Sequence, residues 1–260
     1  MTVLFAIILG ILQGLTEFLP VSSSGHLLLL ESIFGISENN MFFNIVLHVA
    51  TLVAVVIIFW KDVVNIIKHP FGKEMRFIVI ATIPTVVIAL LVNHFVDDFT
   101  MKTLLGYGFL VSALITFSTA ILQKRKKTEY KEMSNSKAFI VGVVQGLAVL
   151  PGVSRSGSTI CAGLLQGIER EKSASFSFLI SIPVILGGLV FEVVGGIKHG
   201  FGSVNFLACF LGFIFAFITA LFTIKLMMKF VKNGNWIWFS AYLFALSVIV
   251  LLNQYVFAWF

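Results

Sequence analysis

Three ionisable residues, Glu17, His26 and Arg155, stand in otherwise apolar sequence. Charged groups at membrane depth are costly and mark function by default. All three fall in two segments that resemble each other, GILQGLTEFLPVSSSGH (10–26) and GVVQGLAVLPGVSRSGS (142–158). Ser22, Ser23, Ser24 and Gly25 of the first are matched by Ser154, Arg155, Ser156 and Gly157 of the second. Hydroxyls, backbone N–H groups beside glycine and a following helix N-terminus together make an anion site. An arginine within it adds forked donors suited to phosphate oxygens. Capping of a short helix accounts for one serine per loop. It does not account for three hydroxyls and an arginine, so the predicted ligand is a phosphate or diphosphate.

The remaining chemistry is open at this level. Gln13 and Glu17 are spaced i, i+4 and share one helix face; a carboxylate beside an amide can ligate a hard divalent cation or orient water. His26 can serve as general acid, general base or nucleophile. Ser23, near both, can be an activated nucleophile. Spacing does not decide which of them attacks phosphorus. Asn44 and His48, also i, i+4, either extend the polar pocket or make an ordinary interhelical hydrogen bond. Glu192 reads as interfacial.

The elements that position these residues follow from composition. The 260 residues are 58% hydrophobic and 12% charged, with mean hydropathy +1.03. A soluble domain is roughly a quarter charged, and the apolar residues here run in long blocks, so the chain is read as membrane-embedded. Six blocks are long enough to span: about 42–60, 76–93, 103–122, 174–194, 204–228 and 236–257. Stretches near 2–15 and 138–149 are too short. Each runs into a Pro/Gly/Ser loop (20–25, 151–157) and a second short apolar piece (26–35, 158–168), the pattern of a re-entrant hairpin. Such backbone is tolerated at depth only inside protein or beside a wet cavity. The expected N-terminus is mature sequence, since it lacks the charged region and cleavage site of a secretory signal.

Gln13 and Gln145, and likewise Gly25 and Gly157, stand at a common offset, and each hairpin precedes three spans. The fold class is therefore an all-α polytopic membrane protein: six transmembrane helices plus two re-entrant helical hairpins in an inverted-topology repeat. The chain is one membrane domain, with repeat one about 1–125 and repeat two about 136–260. Three is an odd number of crossings, so the second hairpin enters from the opposite face and the tips can meet near the midplane. Charge supports this. Of 18 lysines and arginines, only Lys102 and Lys198 share the N-terminal side, and Arg155 lies in a loop. Basic residues favour the cytoplasm, which puts both termini outside. The net charge of +6 is thus a topology signal and not a nucleic-acid footprint. The run KRKK (124–127) adds some capacity for anionic lipid. Cys161 and Cys209 read as small buried hydrophobes rather than a disulfide.

QGLTE (13–17), PVSSSGH (20–26) and above all PGVSRSGST (151–159) resemble the motifs of the bacitracin-resistance type of undecaprenyl-diphosphate phosphatase, over essentially the whole chain. That resemblance implies a multi-pass enzyme of the bacterial plasma membrane. It would remove the terminal phosphate of undecaprenyl diphosphate, an isoprenoid diphosphate lipid, to regenerate the carrier for peptidoglycan synthesis. It implies Glu17, His26 and Arg155 as essential charged residues, Ser23 as nucleophile, and Thr159 among the phosphate-binding set. Dependence on a divalent cation, Mg²⁺ or Ca²⁺, is implied too, with Gln13 and Glu17 as its ligands. Gln13 stands where many members have Glu, leaving Glu17 the only carboxylate of that motif. Topology and resemblance together favour a site opening outward, and homodimerisation is left open. The rival reading is a lipid-phosphate transporter or flippase, because inverted repeats with midplane loops are common among transporters. A nucleophile set favours the enzyme.

Overall fold

In lipid every backbone N–H and C=O must be satisfied within its own segment, so apolar blocks fold as helices. The computed structural model describes residues 2–34, 41–96, 98–125, 130–200 and 205–257, and among these there is no strand. Lys126 and Lys127 of the basic run, and the ends of the apolar stretches predicted to close at 35 and to open at 204, lie outside the described residues. The order is α1 (Val3–Thr16), α2 (Ser23–Ile33), α3 (Met41–Ile58), α4 (Trp60–Lys68), α5 (Lys73–Phe95), α6 (Asp98–Thr103), α7 (Leu105–Arg125), α8 (Asn135–Leu147), α9 (Arg155–Leu165), α10 (Arg170–His199), α11 (Phe206–Asn233) and α12 (Ile237–Leu252). A single π turn, Asn253–Phe257, follows α12.

Four segments are long and apolar enough to cross a bilayer: Lys73–Phe95, Arg170–Lys198, Phe206–Lys232 and Ile237–Phe257. A fifth results if α3 and α4 count as one span, but they meet at 81°. The turn falls at Phe59, where the apolar run gives way to Lys61 and Asp62. Beyond it α4 exposes Trp60, Lys61, Asp62 and Lys68, as a helix lying along an interface does. α1 and the apolar part of α7, Leu105–Ile121, are shorter. The chain is a multi-pass, all-helical membrane protein.

Small residues set the closest helix contacts, because without a hydrophobic drive between helices association depends on close backbone approach. A Cβ at Gly10 of α1 would sit 2.5 Å from the Gly212 carbonyl oxygen of α11. One at Gly142 of α8 would sit 2.6 Å from Ala81 Cα of α5. The two glycines occupy equivalent places in the two similar segments, and their partner helices pack on them in the same way. α7 and α12 are tied along their length by Ser240 Oγ donating to Ala113 O at 2.9 Å and Ser247 Oγ to Gly106 O at 2.8 Å. The core around Phe18, Phe59, Phe178, Ile224, Met227 and Trp236 lies beside the first loop. Cys161 and Cys209 are buried and free, as read from the sequence.

Candidate functional site

Both polar loops are folded by the same local device. Ser22 caps α2, its Oγ accepting from Gly25 N at 3.3 Å, and Ser154 caps α9, its Oγ accepting from Gly157 N at 3.0 Å. Each places a second hydroxyl nearby: Ser24 Oγ is 3.4 Å from Ser22 Oγ, and Ser156 Oγ is 3.5 Å from Ser154 Oγ. Ser22 holds φ at 72°, the one left-handed non-glycine among the described residues. That costs roughly 1 kcal/mol or more and survives only where surroundings impose it, which is typical of functional loops. In the second loop Gly152 has φ 82°, and a side chain there would strike the Phe109 amide of α7.

The loops meet tip to tip. Ser156 Oγ donates to Leu19 O at 3.0 Å, and a Cβ at Gly157 would lie 2.8 Å from Pro20 Cβ. Ser112 of α7 braces the junction, accepting from Ser154 N at 2.8 Å and donating to Gly152 O at 3.1 Å. At the junction Arg155 donates to Glu17 Oε1 in a salt bridge. The Glu17 side chain is only 4% exposed and that of Arg155 19%. Glu17 Oε2 accepts from Ser23 Oγ at 2.5 Å and from Gln13 Nε2 at 3.2 Å. A buried carboxylate is thereby held by one cation, one amide and one hydroxyl. The hydroxyl is the group it can deprotonate.

A cavity of about 200 Å³ opens on this cluster. Glu17 at the end of α1 lines it together with Ser22, Ser23, Ser24, Ser154 and Arg155 of the two predicted loops. Because α2 begins at Ser23 and α9 at Arg155, both helix N-termini face the same space. Their first-turn N–H groups have no partner inside the helix, so the cavity suits an anion.

Other predicted residues are elsewhere. His26 does not line the cavity. Its Nδ1 lies 2.7 Å from Ser22 O and its Nε2 2.6 Å from Tyr242 OH, with the ring stacked on Tyr242 and edge-on to Phe109. Both ring nitrogens are thus occupied by structural partners. Gly25 and Gly157 serve the caps just described. Thr159 Oγ1 donates to Arg155 O at 2.8 Å and lies 2.5 Å from Ser177 Oγ, so it fastens α9 to α10 behind the arginine. Gln13 is fully buried beneath Glu17, and its Oε1 has no hydrogen-bond partner. Its counterpart Gln145 has the same orphan oxygen, donates to Thr85 Oγ1 at 3.2 Å and reaches the cavity wall.

Further liners come from two helices, α3 and α10, that the loop motifs do not reveal. His48 of α3 and Glu192 of α10 face the cavity, as do Val184, Ile185, Gly188 and Leu189 of α10. Glu192, read from its position as interfacial, turns inward instead. The hydrogen bond found for His48 runs within its own helix, to Asn44 O at 2.9 Å. Residue spacing alone could not bring α3 and α10 to one wall; the signal available was that each bears an ionisable group near the outer end of an apolar run.

Among the described residues no three His, Cys, Asp or Glu are gathered closely enough to cage a metal ion unaided. The donors that would hold a hard cation here are the Glu17 carboxylate and the orphan amide oxygen of Gln13 below it, one carboxylate being enough for a cation that takes its other ligands from substrate and water.

These features define a class: a multi-pass all-α membrane protein with a buried serine–carboxylate–arginine cluster opening on a cavity that suits an anion. Residues 6–249 match the family described as bacitracin resistance protein BacA. The chain is 40% identical over 255 residues to an undecaprenyl-diphosphatase of Carboxydothermus hydrogenoformans, with 96% of each chain covered. It is 39% identical to the undecaprenyl-diphosphatases of Halothermothrix orenii and Alkaliphilus metalliredigens, over 97% of this chain and 98% of each of those. The chain belongs to the bacitracin resistance protein BacA family.

Proposed function

We infer that this chain hydrolyses undecaprenyl diphosphate to undecaprenyl phosphate and inorganic phosphate, the activity by which its relatives are named. One observation carries the chemical reading: Ser23 Oγ donates at 2.5 Å to a carboxylate whose other oxygen is engaged by Arg155. In the proposed reaction Ser23 Oγ attacks the terminal phosphorus and Glu17 takes its proton. The bridging P–O bond breaks and the lipid monophosphate leaves. Arg155 and the two helix N-termini neutralise charge on the transferred group, which is the main demand of phosphoryl transfer. Water then cleaves the phosphoserine, and Glu17 returns its proton to Ser23. His26, with both nitrogens engaged, holds the first loop against α12.

A divalent cation, Mg²⁺ or Ca²⁺, belongs to the same proposal, with Glu17 and Gln13 as its protein ligands. It would add charge neutralisation at the diphosphate oxygens. The lipid tail would lie along the apolar flank of α10, where Val190, Phe191 and Val194 are exposed. Regenerating the carrier for peptidoglycan synthesis is what would confer bacitracin resistance.

The topology proposed is six spans and two re-entrant hairpins, in repeats of about 1–125 and 136–260. Both termini and the cavity mouth would be on the outer face of the plasma membrane. It is supported by the equivalent packing of Gly10 and Gly142, the meeting of the loop tips and the one-sided lysines and arginines.

A phosphate-release assay on the purified, detergent-solubilised full chain tests the activity. Wild type releases phosphate from undecaprenyl diphosphate, while Ser23→Ala and Glu17→Ala each lose at least about a hundredfold. Movement of lipid phosphate across vesicles without any turnover would establish the transporter reading instead.

A further inference from the structure

The two-step reaction needs a second base, and Glu17 is not free to be it. Once it has taken the Ser23 proton, that proton is committed to the departing Ser23 Oγ. Its oxygens are held by Arg155, Gln13 and Ser23. His26 is engaged at both nitrogens and lies off the cavity. Among the described residues lining the cavity, only His48 and Glu192 remain as groups able to accept a proton.

His48 has the right geometry. Asn44 O accepts from Nδ1 at 2.9 Å, which fixes the tautomer with the ring hydrogen on Nδ1 and leaves Nε2 a bare lone pair. No hydrogen bond to Nε2 is found among the described residues. His48 lines the same cavity as both carboxylates, Glu17 of the first loop segment and Glu192 on α10. Glu192 Oε2 is buried without a hydrogen-bond partner. A buried carboxylate oxygen without a partner is costly in the ground state, and a positive charge forming on the wall of the same cavity offsets that cost.

We propose that His48 is the general base for the second half-reaction, with Glu192 a positioning residue that stabilises its protonated form; this rests on the two-step phosphatase reading above. The water attacks phosphorus and gives its proton to His48 Nε2. The Ser23 Oγ–P bond breaks, Oγ recovers its proton from Glu17, and inorganic phosphate leaves. The imidazolium then releases its proton past Glu192 to water at the cavity mouth. A cavity of about 200 Å³ leaves room for a phosphoryl group and a few waters, at roughly 30 Å³ per water.

The experiment is pre-steady-state kinetics on the full chain in detergent, with a short-chain isoprenyl diphosphate as substrate and phosphoserine at Ser23 read by mass spectrometry. His48→Gln is expected to give one equivalent of isoprenyl monophosphate in a burst, then turnover slowed about a hundredfold or more, with phosphoserine accumulating. The burst itself certifies a folded site. His48→Ala should regain turnover on addition of imidazole, which a packing defect would not. Glu192→Gln should lower kcat by about tenfold with KM unchanged. Normal turnover in His48→Gln, or slow turnover without phosphoserine, overturns the assignment while leaving the phosphatase reading intact. A wild type that releases no phosphate removes both.

Discussion

Replacing Arg155 by alanine strands a charge. The Glu17 carboxylate, 4% exposed, would keep only the neutral donors Ser23 and Gln13. Two neutral hydrogen bonds contribute about 1 kcal/mol each, whereas breaking a buried ion pair from one side costs about 3–5 kcal/mol. Arg155 itself is 19% exposed toward the cavity, so water partly enters its place, and the lower end of that range, about 3 kcal/mol, is expected. Turnover should fall about 10²–10³-fold through loss of a preorganised donor. Arg155→Lys keeps the charge but not the fork; it should melt near the wild type and still turn over slowly. The decisive comparison is the double variant Glu17→Gln/Arg155→Ala. A neutral amide in place of the stranded carboxylate should restore more than half of the lost stability and none of the activity. Unfolding can be followed by a thiol-reactive fluorophore, since Cys161 and Cys209 are both buried and free in the native fold. If Arg155→Ala and the double variant melt together at the wild-type temperature, the ion pair does not organise the site and the reasoning fails.

Three further outcomes are expected. Gly142→Leu forces α8 off Ala81 and should destabilise by about 1–3 kcal/mol or more; Gly187→Ala, with nothing within 4 Å of its new methyl, should be neutral or stabilising by up to about 1 kcal/mol, both read by the same thiol melt. Tyr242→Phe leaves His26 Nε2 without its partner and should cost about 1–3 kcal/mol. Turnover should decline in step with that loss, unlike Ser23→Ala, which should lose turnover at unchanged melting temperature. For topology, single cysteines at Lys198 and Lys131 in a chain lacking Cys161 and Cys209 should label differently in intact cells. The first should react with an impermeant reagent and the second only after permeabilisation; the reverse pattern inverts the proposed orientation.

The part of this site legible in the sequence is the part encoded locally. Two copies of Q-G-L…P…S-x-S-G predicted matched turns, and matched turns are what bring Glu17 and Arg155, 138 residues apart, into one salt bridge. Helix identity was legible for the same reason: each apolar block settles its own backbone hydrogen bonds, so its period and length suffice. What spacing could not supply is rotation and partnership between distant helices. His26 sits in the signature loop yet turns away, because Phe109 of α7 and Tyr242 of α12 offer its ring an aromatic slot with a hydroxyl at the far end. Conversely His48, for which extending the polar pocket was one of two open readings, and Glu192, read as interfacial, face the cavity because α3 and α10 pack against each other across it. Charge followed the same division. The one-sided lysines were readable as a topology signal, but whether an acid such as Glu192 ends at the interface or in a wall depends on which helix lies beside it. Glu192 ends in the wall because α3 lies beside α10 there, and the turn leaves one of its carboxylate oxygens, Oε2, without a hydrogen-bond partner among the described residues.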